Sequence, residues 1–144
     1  MNILFLCTGN ACRSQMAEGW ARHLHGEQFR VWSAGVAPHG VDPRAVRVMQ
    51  ESGVDISEHY SKHVDTLRDI PFELVVTVCD SAAEACPVFP GRVTVLHRGF
   101  EDPPRLARGA GSEDAALEHY RRVRDQIRDF VQALPDIIKE QTPT

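Results

Sequence analysis

The chain has no apolar run approaching the roughly 18 residues that cross a bilayer. Its apolar start, Ile3 to Leu6, is too short for the core of a signal peptide and has no basic flank. These absences predict a cytoplasmic protein with no membrane partner. An excess of one charge is also lacking: 16 Lys+Arg against 20 Asp+Glu leave a net charge of −4. Nothing in that balance points to nucleic acid or to an anionic surface. No CxxC pair occurs among Cys7, Cys12, Cys79 and Cys86, and the seven histidines form no metal-like cluster. No metal and no cofactor are therefore expected. No internal repeat, linker or low-complexity segment interrupts the chain.

What is present fits one domain, residues 1–144, with ordinary composition: 42% hydrophobic and 25% charged residues. A chain of this length has no need of disulfides to build a core, and cytosolic thiols stay reduced unless they do redox work. Asn2–Leu6 reads as a buried strand. Arg13–His25 follows with helical spacing of Met16, Ala17, Trp20, Ala21 and Leu24, and Gly26 is its expected stop. Phe29–Ser33 alternates like a second strand. Asp42-Pro43 opens a second helix, which Gly53 ends. Val64–Arg68 suggests a short helix, and Leu74–Val78 and Arg92–Leu96 two more strands. Residues 99–111 read as loop. Ser112 caps a long helix that Pro135 ends or kinks, with Arg121, Arg122 and Arg124 on its solvated face. The tail from Gln141 is expected to fray. Strands alternating with helices predict an α/β fold: a four-stranded parallel sheet flanked by helices on both faces.

In such sheets ligands bind beyond the carboxyl ends of the strands. Cys7, Cys79 and Asp102 all follow expected strands there. The segment Cys7-Thr8-Gly9-Asn10-Ala11-Cys12-Arg13-Ser14 joins a strand to a helix. Its backbone N–H groups can form an anion nest, and the helix adds its positive end. Gly9 is expected to allow an unusual backbone conformation. Arg13 offers a planar fork suited to two oxygens of a tetrahedral anion. In that field Cys7 is expected to ionise below the free thiol value and to act as nucleophile. No Gly-Lys-Ser/Thr follows, so this is not a nucleotide P-loop.

At residues 2–18, around ILFLCTGNACRSQMAE, the chain resembles the low-molecular-weight protein tyrosine phosphatase superfamily. The resemblance implies that family's fold over nearly the whole chain. It implies Cys7 as nucleophile, Arg13 as oxyanion clamp, Asn10 and Ser14 as supports of the loop, and Asp102, in Asp102-Pro103, as general acid. Within it, Cys79-Asp80 after the strand and Cys86-Pro87 beyond look like the thioredoxin-coupled arsenate reductases. A simple phosphatase needs no such pair, and Pro104 and Arg105 stand where phosphatases usually carry an aromatic residue. The implied chemistry is arsenate reduction by a three-thiol relay, Cys7 to Cys79 to Cys86, with thioredoxin as reductant. Phosphate and sulfate are expected competitors, and Asp80–Ala85 must be mobile enough to carry oxidation outward. Cys12 has two readings, packing or a protective disulfide with Cys7. Lys62 stands where some members of the superfamily hold a potassium ion. The alternatives are phosphotyrosine hydrolysis and a non-catalytic oxyanion sensor or phosphocysteine carrier.

Overall fold

The computed structural model describes residues 1–141; of the tail expected to fray, Thr142–Thr144 lie outside them. Four strands form one parallel sheet in the order β2-β1-β3-β4: β1 Asn2–Cys7, β2 Arg30–Gly35, β3 Leu74–Thr77 and β4 Thr94–His97. Ile3, Leu4, Phe5 and Leu6 are all fully buried. Successive side chains on a strand point to opposite faces, so both faces of the sheet are covered. The strand order reverses beside β1, which puts the C-terminal end of β1, with Cys7, at the switch point of the topology.

Helix α1, Arg13–His25, has the expected bounds. It buries more than one stripe, however, since everything from Ser14 to Ala21 is buried while Leu24 is exposed. The reason is position: α1 lies against the sheet on one side and a later helix on the other. Gly26 follows it in ordinary right-handed helical geometry. Helix α2, Pro43–Glu51, is capped as expected, with the Arg44 N–H donating to Asp42 Oδ1 at 2.9 Å, and Gly53 takes a left-handed φ of 80° after it. A single 3-10 turn occupies Val64–Leu67.

Two stretches depart from expectation. Residues after Cys79 form a short helix, α3, Asp80–Glu84. The stretch 99–111, read as loop, contains a second short helix, α4, Pro103–Ala107. Its prolines sit in the first turn, where a missing N–H costs nothing. Helix α5, Glu113–Gln132, is capped by Ser112 Oγ at 3.1 Å from the Ala115 N, and it stops before Pro135, which lies in the first turn of α6, Leu134–Gln141. The arginines of α5 are no solvated face. Arg121 and Arg124 reach Glu51 of α2 at 2.8 and 3.1 Å, and Arg122 reaches Glu101 at 2.9 Å. Helical neighbours of the sheet leave carboxylates opposite them, which periodicity within α5 alone does not reveal.

Candidate active site

Residues 8–12 leave β1 and turn into α1, and their carbonyls are all spoken for on the outer side. Thr8 O accepts from Ala37 N at 2.8 Å, Gly9 O from His39 N at 2.9 Å and Ala11 O from Asp42 N at 2.8 Å. Asn10 O accepts from Ser61 Oγ at 2.6 Å and from Gln15 Nε2 at 3.0 Å. In a trans peptide the N–H points opposite to the carbonyl. The N–H groups of residues 9–12 are thus turned away from these partners, as an anion nest requires. The left-handed residue is Asn10, at φ 48°, not Gly9. Asn10 tolerates this because its side chain is fully bonded: Nδ2 donates to Ser14 Oγ at 2.9 Å and Ser33 Oγ at 3.0 Å, and Oδ1 accepts from Lys62 N at 3.0 Å. Gly9 packs against the exposed His39 ring, which a Cβ there would displace. Gly35 is required for space: its Cβ would stand 2.6 Å from Thr8 O.

Beneath the loop lies a polar network that the sequence announced only in part. Glu18, almost wholly buried, accepts from Ser33 Oγ at 2.7 Å and lies 3.1 Å from Arg22, 3.5 Å from His59 and 3.9 Å from the Lys62 ammonium. Gln15 links His59 to the Asn10 carbonyl. Burial pushes His59 and Lys62 down from their usual pKa values. The Glu18 carboxylate, 3.9 Å from Lys62 Nζ, acts against that burial and favours the ammonium. Of this network the sequence pointed to Lys62 near the loop, and Glu18 stands on a helix that proves to be buried over Ser14–Ala21.

A cavity of about 800 Å³ opens above the loop, lined by Cys7, Cys12, Arg13, Cys79 and Asp102 among others. Arg13 Nη1 donates to Phe100 O at 3.0 Å and its Nη2 lies 3.7 Å from Asp102 Oδ1. Asp102 is held in place from behind, by Phe100 packed edge-on to Phe130 of α5 and by the Glu101–Arg122 pair. Cys7, Arg13, Cys79 and Asp102, expected from three strand ends, thus meet in one cavity. Cys86 does not join them. It is half-buried beyond α3, its thiol 3.6 Å from Pro87 O, and burial raises its pKa. Burial raises Cys12 as well.

The ionisation expected of Cys7 is coupled to a second thiol, Cys79. Cys79 is lowered to about 5, first by a hydrogen bond from Cys7, then by Thr8, the Ala82 N–H and Arg13, against its own burial. Thr8 Oγ1 lies 3.3 Å from Cys79 Sγ. Cys7 is raised, by that same bond to Cys79 and by burial, with Arg13 acting the other way. The two thiols thus titrate as a coupled pair, with the charge favoured on Cys79. The nest and Arg13 are legible in the sequence, whereas a second thiol set against the first is not.

Known proteins resemble this chain over nearly its whole length. The chain is 48% identical over 125 residues to an arsenate reductase of Bacillus subtilis (strain 168), covering 87% of this chain and 88% of that one. It is 47% identical over 126 residues to arsenate reductase 1 of Staphylococcus saprophyticus, covering 88% and 89%. A solved arsenate reductase in the phosphate binding state superposes with a TM-score of 0.75 at 30% identity, covering 95% of this chain and 98% of that one. Residues 2–143 match the low molecular weight phosphotyrosine protein phosphatase family, and with that fold and loop the chain belongs to it.

Proposed function

We propose that this single-domain chain is a cytoplasmic arsenate reductase, working through Cys7, Cys79 and Cys86 and regenerated by thioredoxin. The observation that carries the reading is the Cys7–Cys79 pair in the cavity of the oxyanion loop: a hydrolase needs one sulfur there, a reductase two. The relatives named arsenate reductase at nearly half identity support it, and reduced cytoplasmic thiols suit it.

The steps balance as follows. Residues 8–14, Thr8 to Ser14, hold arsenate, with Arg13 on its oxygens. Cys7 attacks arsenic as its proton passes to the Cys79 thiolate, an S–As bond forms, and the departing hydroxide leaves as water with the proton of Asp102. Cys79 next attacks Cys7 Sγ, giving its proton to an arsenate oxygen. The S–As electron pair stays on arsenic, which leaves as arsenite, and Cys7–Cys79 becomes a disulfide. Cys86 attacks Cys79 Sγ, freeing Cys7 and forming Cys79–Cys86. The two thiols of thioredoxin return two electrons.

The test is arsenate-dependent NADPH loss with thioredoxin and its reductase, combined with acid-quenched peptide mapping. Cys86→Ser should release one arsenite per chain and stall as Cys7–Cys79, and Cys79→Ser should release none. Fast phosphotyrosine hydrolysis with no arsenate-dependent disulfide would return the chain to the phosphatase reading. Phosphate taken up on Cys7 without NADPH loss would make it a carrier.

A further inference from the structure

The cavity is far larger than the anion its floor is built for. A tetrahedral oxyanion is four water-sized oxygens around one atom, at about 30 Å³ each. The cavity, at about 800 Å³, lies in the range that encloses a whole small organic molecule. Its wall carries three arginines and three carboxylates: Asp80 lies 3.0 Å from the His97 ring, Glu101 2.9 Å from Arg122 and Asp102 3.7 Å from Arg13. Arg105 and Arg108 line the same cavity, both exposed, and among the described residues neither stands within ion-pair distance of a carboxylate. Nine of the sixteen Lys and Arg side chains do. Residues three apart on a helix share a face. Arg105 in α4 and Arg108 at its C-cap therefore stand on one face of the helix, and both line the cavity.

We propose that Arg105 and Arg108 form a second anion subsite. It would select phosphomonoesters whose leaving group carries a carboxylate, and it rests on the reading of Cys7–Ser14 as the oxyanion loop. Its place follows from α4. Asp102 is the N-cap, beside the leaving group, and the two arginines lie roughly 5 and 9 Å further along the helix axis, at 1.5 Å per residue. A phenyl ring with phosphate and carboxylate at opposite ends spans a comparable distance. Phe100 and Pro104 in the wall supply apolar contact for the ring. The chemistry is hydrolysis and needs no reductant. Cys7 forms an S–P bond as the P–O bond to the leaving group breaks, and that oxygen takes the Asp102 proton. Water then cleaves the S–P bond, its proton returns to Asp102, and phosphate leaves.

Binding is read without turnover, by protection from iodoacetamide of Cys7 and Cys79, which line the same cavity. The probes are 4-carboxyphenylphosphonate and phenylphosphonate, compared within each protein so that effects on the phosphonate end cancel. The carboxylated probe should protect wild type at a roughly tenfold lower concentration, the scale of two charge-assisted contacts at a partly exposed site. In the Arg105→Gln/Arg108→Gln variant the ratio should fall to near one. It should also fall in wild type as salt rises, because the Debye length shrinks to about 3 Å at 1 M. A ratio near one in wild type at low salt, or an advantage that survives in the double variant, overturns the subsite. Thioredoxin-coupled arsenate turnover is measured beside it: its absence in wild type would count against the proposed reduction and leave the binding ratio to decide the subsite.

Discussion

At the residue scale, the site turns on two sulfurs that share one negative charge. Cys79 is lowered to about 5 and Cys7 is raised, each chiefly by the other. The two sulfurs titrate as one coupled pair, in which Cys79 is favoured to ionise and Cys7 to keep its proton. The interaction predicts how the thiols respond to mutation. Cys79→Ser removes the thiolate that holds the Cys7 proton and leaves Arg13 and the Thr8 N–H acting on Cys7. Mass-spectrometric labelling with iodoacetamide at pH 7 should then show Cys7 reacting roughly tenfold faster or more, the yield of one pKa unit. An unchanged Cys7 rate would mean that burial, not Cys79, keeps it protonated. The residues themselves were legible in the sequence, because Cys-x5-Arg between a strand and a helix sets its own geometry. Their ionisation was not, because it depends on a contact across 72 residues of chain. Gly9 was likewise identified for the wrong reason. Its neighbour Asn10 takes the left-handed turn, and Gly9 clears the ring of His39, a residue thirty positions away.

At the scale of elements, strands and long helices were read well because each is set by its own period. The short helices α3 and α4 were missed, since five residues are too few to show one. For the proposed relay α3 matters most. Cys79 precedes it and Cys86 follows it, and the five helical residues between them, Asp80–Glu84, rise roughly 7.5 Å along the axis, whereas a disulfide needs Cα atoms about 7 Å apart or less. The exchange proposed from Cys79 to Cys86 should therefore need α3 to loosen. One visible tie opposes that loosening: Asp80 Oδ1 meets His97 Nε2 at 3.0 Å, and His97 Nδ1 meets Thr77 Oγ1 at 2.8 Å, fastening the first turn to β4 and β3. Asp80→Ala should therefore speed conversion of Cys7–Cys79 to Cys79–Cys86 severalfold in a single-turnover, acid-quenched experiment. Arsenite release, which precedes unwinding, should keep its rate. Equal rates for the second exchange in both proteins would show that another contact limits the opening of α3.

At the scale of the whole molecule, helix α5 joins the parts that the site needs. Arg121 and Arg124 fasten it to Glu51 of α2, and the guanidinium of Arg121 holds the Glu51 carboxyl below its usual range. Arg122 and Phe130 fasten it to the segment carrying Asp102. Tyr120 makes the connection to the oxyanion loop. Its hydroxyl donates to Asp42 Oδ2 at 2.6 Å, while Asp42 Oδ1 caps α2 and the Asp42 N–H holds the Ala11 carbonyl at 2.8 Å. Burial, followed by Asp42, raises the Tyr120 hydroxyl, so it remains a donor across the working pH range. Tyr120→Phe removes one oxygen and leaves the ring in the core. Because the lost bond is to a carboxylate, the variant should lose about 1.5–3 kcal/mol in urea unfolding. If Asp42 transmits that contact to the loop, freeing one Asp42 oxygen should loosen the Ala11 peptide. The KM for arsenate should then rise severalfold with a smaller change in kcat, because the N–H groups bind the anion while Cys7, Arg13 and Asp102 stay in place. A loss of stability with KM unchanged would limit the role of Asp42 to holding α2 against α5. Restoring stability with a distant substitution, and finding KM still raised, would separate positioning of the loop from a general softening of the fold.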